Sequence, residues 1–226
     1  MSTSRAMLLF GTDAPARPPH MLRAGKLTAE LEAGNLRYIR FGGAEMIRAI
    51  SFLVRSRHWG TFAPEIEGLT ITEEPGRFHV GYTATVRDGG AVLSYAAHIE
   101  GWEDGSLIFS AEAAAGTEFL TCRAGFVVLH PIQGVADAPV KIEHADGTVE
   151  HSHFPGLIDP VQPMLNLRAL THGFAPDASV TCRMDGDVFE MEDHRNWTDA
   201  SYKTYSRPLA LPSSATLRPK CKRKHA

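Results

Sequence analysis

The chain has 226 residues, 43% of them hydrophobic and 22% charged, with a formal net charge of -3. These proportions belong to a folded globular chain and exclude a disordered or fibrous one, and a near-balanced charge selects no nucleic-acid partner. Three cysteines, Cys122, Cys182 and Cys221, with no C-x-x-C pair argue against a disulfide framework and a zinc ribbon.

At the N-terminus the apolar run Met7 to Phe10 is too short for a signal-peptide core and is followed by Pro15, Pro18 and Pro19. No stretch reaches the roughly 18 apolar residues of a membrane span. The expected location is the cytoplasm, with no membrane partner. "KLTAELEAG" (26–34) and "LRYIRFGG" (36–43) then alternate apolar and polar residues, as half-buried strands do. The window from Ala44 to Val54 is open: Ile47, Ile50 and Val54 fit a helical spacing, while Phe52 and Leu53 fill in around them and fit a strand equally well.

From "LTITEE" (69–74) onward the signal is a run of strands. "FHVGYTATV" (78–86) and "AVLSYAAHI" (91–99) flank Asp88-Gly89, and "SLIFSAEAA" follows Asp104-Gly105. Asp-Gly supplies the positive φ of a tight hairpin turn. "AGFVVLH" (124–130) and "PVKIEH" (139–144) continue the series. A two-residue turn at Asp146-Gly147 would place His144, His151 and His153 on one face, a grouping compatible with a metal. Glu143 and Glu150 would then point the other way, so no metal is predicted. His130 closes a buried-looking strand and reads either as a structural histidine or as an acid–base group in a sugar-binding sandwich.

Phe154 to Pro176 carries Pro155, Pro160, Pro163 and Pro176 and reads as a long loop crossing the open end of the fold. "SVTCRM" (179–184) and "DVFEME" (187–192) supply the last strands. Short strands with Gly-rich turns and no βα alternation predict an all-β chain, an antiparallel β-sandwich with long Pro-rich loops. The expected organisation is a sandwich domain over residues 1–212 and a basic, disordered tail over 213–226. That tail carries Arg218, Lys220, Lys222, Arg223 and Lys224 and no acid.

G-x-S-x-G, H-E-x-x-H, P-loop and G-x-G-x-x-G motifs are all missing from the sequence, which removes the main support for serine-hydrolase, zincin, NTPase and dinucleotide readings. The densest polar stretch is 190–203. On a strand over 187–192, Phe189 and Met191 share one face and Glu190 and Glu192 the other, with Asp193 to Trp197 turning off the strand end. Glu190, Glu192 and Asp193 are the candidate bases. His194, Arg195, Asn196, Trp197, Asp199 and Lys203 are the candidate substrate contacts, a polar clamp and an aromatic platform suited to a polyhydroxylated ligand. The alternative is a solvated loop anchored by Trp197 and Tyr205.

"LTAELEAGNLRYIRFGGAEMIRAISFLVR", "WGTFAPEI", "GFVVLHPIQGV", "FPGLIDPVQP", "LRALTH" and "DVFEMEDHRNWTDASYKTYSRPLALP" together resemble the N-terminal part of the D-apionate lactonase family, over about residues 7 to 212. The resemblance implies hydrolysis of the sugar lactone D-apionolactone to D-apionate in D-apiose catabolism, with no cofactor. Glu190, Glu192 or Asp193 would then activate water, and Arg195, Asn196 or Lys203 would stabilise charge. The resemblance assigns no catalytic role to a particular residue. Two departures stand out. His194 occupies a position where an amide is expected, and "SSATLRPKCKRKHA" after Pro212 reads as a frameshifted or truncated end. An apolar face left open by such an end predicts self-association. Two other readings remain at this point: a non-catalytic carbohydrate-binding or domain-packing sandwich, and an epimerase-like site in which His130 meets a carboxylate.

Overall fold

The structure is a computed structural model that describes residues 4–14, 18–197, 200–212 and 215–219. A single helical turn, α1 (Arg5–Phe10), precedes the strands. These are β1 (His20–Ala24), β2 (Leu27–Glu32), β3 (Asn35–Phe41), β4 (Ala44–Val54), β5 (Glu65–Glu74), β6 (Arg77–Asp88), β7 (Ala91–Trp102) and β8 (Leu107–Ala115). There follow β9 (Phe119–Thr121), β10 (Ala124–Pro131), β11 (Pro139–His144), β12 (Val149–His153), β13 (Met164–Ala175) and β14 (Ala178–Arg183). The series closes with β15 (Phe189–Asp193), β16 (Ser201–Ser206) and β17 (Ala215–Leu217), and a 3-10 turn, His194–Asn196, leaves β15.

One long antiparallel sheet runs β1-β2-β3-β4-β10-β16-β15-β13-β11-β12, with β14 paired to β13 beside β15. A four-stranded sheet, β5-β6-β7-β8, packs over its β1–β4 end, and β9 pairs with β17. The all-β antiparallel sandwich read from the sequence is therefore the observed class, although one of its layers is a single sheet extending well past the other.

The open window 44–54 is a strand. Gly42 and Gly43, both at positive φ, make the two-residue turn that sets Phe41 opposite Ala44, and β10 covers the other edge of β4. Its apolar residues fall between helical positions because Met46, Ile47, Ala49, Phe52 and Val54 are all buried in the middle of a wide sheet. Likewise β13 occupies Met164–Ala175, so the expected loop 154–176 is a loop only up to residue 163.

Two cores lie against the same face of the long sheet. The larger joins Leu22, Leu36, Ile39 and Val54 to Phe78, Val80, Tyr82 and Ile99 of the smaller sheet. The second joins Ile142, Leu167, Leu170, Phe189, Met191 and Tyr202 beneath Phe154 and Val135. Cross-strand register shows that the face is shared: Val128 of the first core pairs with Thr204, which pairs with Met191 of the second. Consequently Lys203 and Tyr205, with Glu190 and Glu192 opposite them, point out of the other face.

Close packing in the larger core depends on Gly101. It sits directly opposite Phe78, and a Cβ there would overlap the Phe78 ring. Gly101→Ala is expected to lower stability by about 1–3 kcal/mol through overpacking. A urea-denaturation midpoint unchanged from the parent would contradict this.

The histidine hairpin has a different register from the one expected. The His144 amide donates to Thr148 O, so three residues rather than two make the turn, and Lys141 faces His151 and Ile142 faces Glu150. This one-residue slip puts His144 on the face opposite His151, where its Nε2 lies 3.2 Å from Glu150 Oε2. Of the expected tail, residues 215–219 are described, and Ala215–Leu217 pair with Phe119–Thr121. The remainder of 213–226 lies outside the described residues.

Candidate functional site

On the outward face of the long sheet, β4, β10, β16 and β15 form the floor of a cleft of about 490 Å3. Leu53, Val127, Tyr205, Lys203 and Glu192 line it from the strands, Arg55 and Trp59 from the segment after β4, His194 and Trp197 from the turn after β15, and Leu209 from the segment after β16. The floor is set by register, since Val127 pairs with Tyr205 and Lys203 with Glu192. Glu192 and Lys203 form an ion pair with side chains 16% and 15% exposed, and the Lys203 ammonium lies 5.4 Å from the centre of the Tyr205 ring.

The residues expected in the site divide into two groups. Glu192, His194, Trp197 and Lys203 line the cleft. Glu190, Asp193, Arg195 and Asn196 do not, and their bonds show why. Glu190 is buried and accepts from Tyr205 Oη at 2.6 Å and from the Leu209 amide at 2.7 Å, fixing the segment that follows β16. Burial, followed by the Glu190 bond, pushes the Tyr205 phenol far above its usual range, so it remains a donor.

Asp193 is fully buried. Its two oxygens accept from Arg195 Nε at 2.8 Å and Nη2 at 2.6 Å, and from the Asp159 amide at 3.1 Å. Burial alone would raise its pKa, but these bonds and the Arg195 charge outweigh it and hold the carboxyl below its usual range. A carboxylate bound in this way is a poor proton acceptor. Arg195 in turn donates to the carbonyls of Pro155, Gly156 and Leu157, and Asn196 donates to Asp159 O. Together the three residues clamp the loop after β12 against the end of β15. Asp199 lies outside the described residues.

Several lining residues fall outside the contacts expected from the sequence, among them Arg55, Trp59, Arg123 and Tyr205. Arg55 and Trp59 follow β4, and Tyr205 reads there as a packing anchor. Arg55 directly follows β4 and Glu192 lies near the end of β15, but nothing local indicates that β4 and β15 lie on either side of β10 and β16. Arg123 also reaches the cleft. It is 7% exposed, lies 5.3 Å from the Trp59 ring centre, and donates to the carbonyls of Cys122, Arg207, Pro208 and Pro212, tying the segment after β16 to the sheet.

His130 lies on the opposite, core-facing side. It shares a hydrogen bond with Thr204 Oγ1 at 3.0 Å and packs against Phe154 and His172, with the two imidazoles 5.6 Å apart. No carboxylate bonds to it among the described residues, so the convergence that an epimerase-like site requires is not met. Burial first, and His172 second, lower its pKa to about 3, and burial lowers that of His172 as well.

These shifts set a pH window. The unfolded chain takes up protons on both histidines as pH falls through about 6.5, whereas the folded chain takes them up at lower pH, for His130 only near 3. Their contribution to stability is complete above about 6.5 and is lost as pH falls toward 3. The urea midpoint should therefore drop between pH 7.5 and 5, and His130→Gln should flatten that slope. A midpoint constant over this range would contradict the assignment. The Asp193 clamp adds a separate loss that sets in below about pH 5, where the unfolded carboxylate begins to protonate, and grows as pH falls through the lowered folded value.

Among the described residues, no group of three or more His, Cys, Asp or Glu side chains is placed to hold a metal ion, and no helix is long and apolar enough to cross a membrane. The fold and the cleft thus define a class: an antiparallel β-sandwich domain with a basic, aromatic-lined cleft on its long sheet. The chain belongs to the D-apionate lactonase N-terminal domain family, whose profile matches residues 7–225 and so takes in most of the segment after residue 212. It is 48% identical over 214 residues to D-apionate lactonase of Brucella anthropi. That alignment covers 94% of this chain but 35% of the relative, so the chain spans about a third of that protein's length.

Proposed function

We propose that the cleft binds a sugar lactone, D-apionolactone by the name of the relative, and that Glu192 and Lys203 open it. The observation that carries this reading is the Glu192–Lys203 pair in a cleft that Trp59 and Trp197 also line, in a chain of this family. The exposed indoles offer flat apolar faces to a sugar ring, and the charged pair offers hydrogen bonds to its hydroxyls and carbonyl.

In the proposed reaction a water attacks the lactone carbonyl carbon while Glu192 accepts one of its protons. Lys203 stabilises the oxyanion that forms on the carbonyl oxygen. Collapse of this intermediate breaks the ring C–O bond, and the departing alkoxide takes the proton back from Glu192. The product is a hydroxy acid, which ionises and releases one proton to solution. The protein should therefore acidify a weakly buffered solution of D-apionolactone faster than the spontaneous rate, as read by pH-stat. Acidification at the spontaneous rate would refute catalysis by this chain.

A second reading is supported by one observation. Among the described residues Glu192 is the only carboxylate lining the cleft, and it is already paired with Lys203. On that reading the cleft holds the sugar and the chemistry resides elsewhere in the longer lactonase. Tryptophan quenching by the lactone without turnover would favour it. We place the protein in the cytoplasm, where the thiols of Cys122 and Cys182 would remain reduced.

A further inference from the structure

Arg55 gives the cleft a specificity that a neutral lactone does not require. It leaves β4 on the cleft side, and its Nη1 donates to Trp59 O at 3.0 Å and to Thr61 Oγ1 at 3.1 Å. Those two bonds fix the plane of the guanidinium. A guanidinium has five N–H groups, so the three on Nε and Nη2 have no protein acceptor among the described residues.

The charge of Arg55 is likewise unmatched. No carboxylate pairs with it among the described residues. The neighbouring Arg123 bonds only to backbone carbonyls, which satisfy its donors without neutralising it. Lys203 is balanced by Glu192. The cleft therefore combines an oriented, open donor fork with an excess of positive charge.

We infer that Arg55 is a carboxylate-binding residue and that the cleft holds the ring-opened sugar acid more tightly than any neutral sugar derivative of the same size. Nε and Nη2 present parallel N–H groups that match the two oxygens of a carboxylate, and the fixed Nη1 bonds mean that little side-chain freedom is lost on binding. This inference rests on the proposed reading of the cleft as a sugar-lactone site. One consequence is that the acid product inhibits turnover and that inhibition weakens with added salt.

The test is a set of calorimetric titrations of the whole chain with D-apionate and with apiitol, the uncharged alditol bearing the same hydroxyl pattern. Parent, Arg55→Gln and Arg55→Lys proteins are compared after melting curves confirm that each is folded. The acid should bind the parent at least about tenfold more tightly than the alditol. Arg55→Gln should abolish that preference while leaving alditol affinity in place. Arg55→Lys should recover only part of it, because an ammonium restores the charge but not the two-pronged geometry. Equal affinities for acid and alditol, or a preference that survives Arg55→Gln, would overturn the inference. If lactone hydrolysis persists alongside equal affinities, the inference falls alone; if neither sugar derivative binds and no hydrolysis occurs, the reading of the cleft falls with it.

Discussion

Asp193→Ala is expected to cost about 3 kcal/mol of unfolding free energy, more than any other single polar substitution in the cleft or the clamp. The carboxylate has no solvent exposure and neutralises Arg195, whose side chain is 16% exposed. Removing it leaves a largely buried guanidinium facing only carbonyls, and strips the Asp159 amide of its acceptor. Partial access of Arg195 to water keeps the cost near the lower end for broken buried pairs. Asp193→Asn, which retains shape but not charge, should cost roughly half as much. The double change Asp193→Ala with Arg195→Met should recover part of the loss, because no unpaired charge remains. Amide exchange across 155–159 should quicken in the single variant and identify the clamped loop as what is released. Denaturation of Asp193→Ala at the parent midpoint would show that the clamp contributes nothing.

Glu192→Gln should lower kcat/KM for D-apionolactone by about 10²–10⁴-fold, the usual range for loss of a general base. Stability should fall by less than in Asp193→Ala. A glutamine still accepts a hydrogen bond from Lys203, although the ammonium, whose side chain is 15% exposed, loses its counter-charge. Asp193→Asn, by contrast, should change stability more than the chemical step. That contrast separates the carboxylate on the cleft floor from the one in the clamp. Full activity in the Glu192→Gln protein would exclude Glu192 as the base.

Much of the fold was legible in the sequence because alternation is a local property. "FHVGYTATV" and "AVLSYAAHI" declared both their strand character and their buried faces, whereas in β15 alternation separates Phe189 and Met191 from Glu190 and Glu192 but Glu190 is buried as well. The strand at 44–54 was ambiguous because a strand deep in a wide sheet loses its alternation. The histidine hairpin went astray by one residue, since Asp146-Gly147 fits a three-residue turn as well as a two-residue one, and a single-residue slip exchanges faces.

In the site, the residue types around 190–203 were informative but their destinations were not. Whether a strand-end carboxylate faces a cleft or a clamp depends on what packs against it. For Asp193 that is Arg195 folding back through a 3-10 turn and a loop from before β13. For Glu192 it is a lysine on the next strand. Arg55 and Trp59 reach the same cleft from β4 through two intervening strands, a neighbourhood fixed only by long-range register.

The most direct test of the cleft as the ligand site uses the protein's three tryptophans, Trp59, Trp102 and Trp197. Trp59 and Trp197 line the cleft, whereas Trp102 ends β7 in the smaller sheet, 5.5 Å from the Arg77 guanidinium. Indole N–H resonances of the Glu192→Gln protein, recorded while D-apionolactone is added, should shift for Trp59 and Trp197 and stay fixed for Trp102. Movement of Trp102 alone, or binding that leaves both cleft indoles unmoved, would contradict the account.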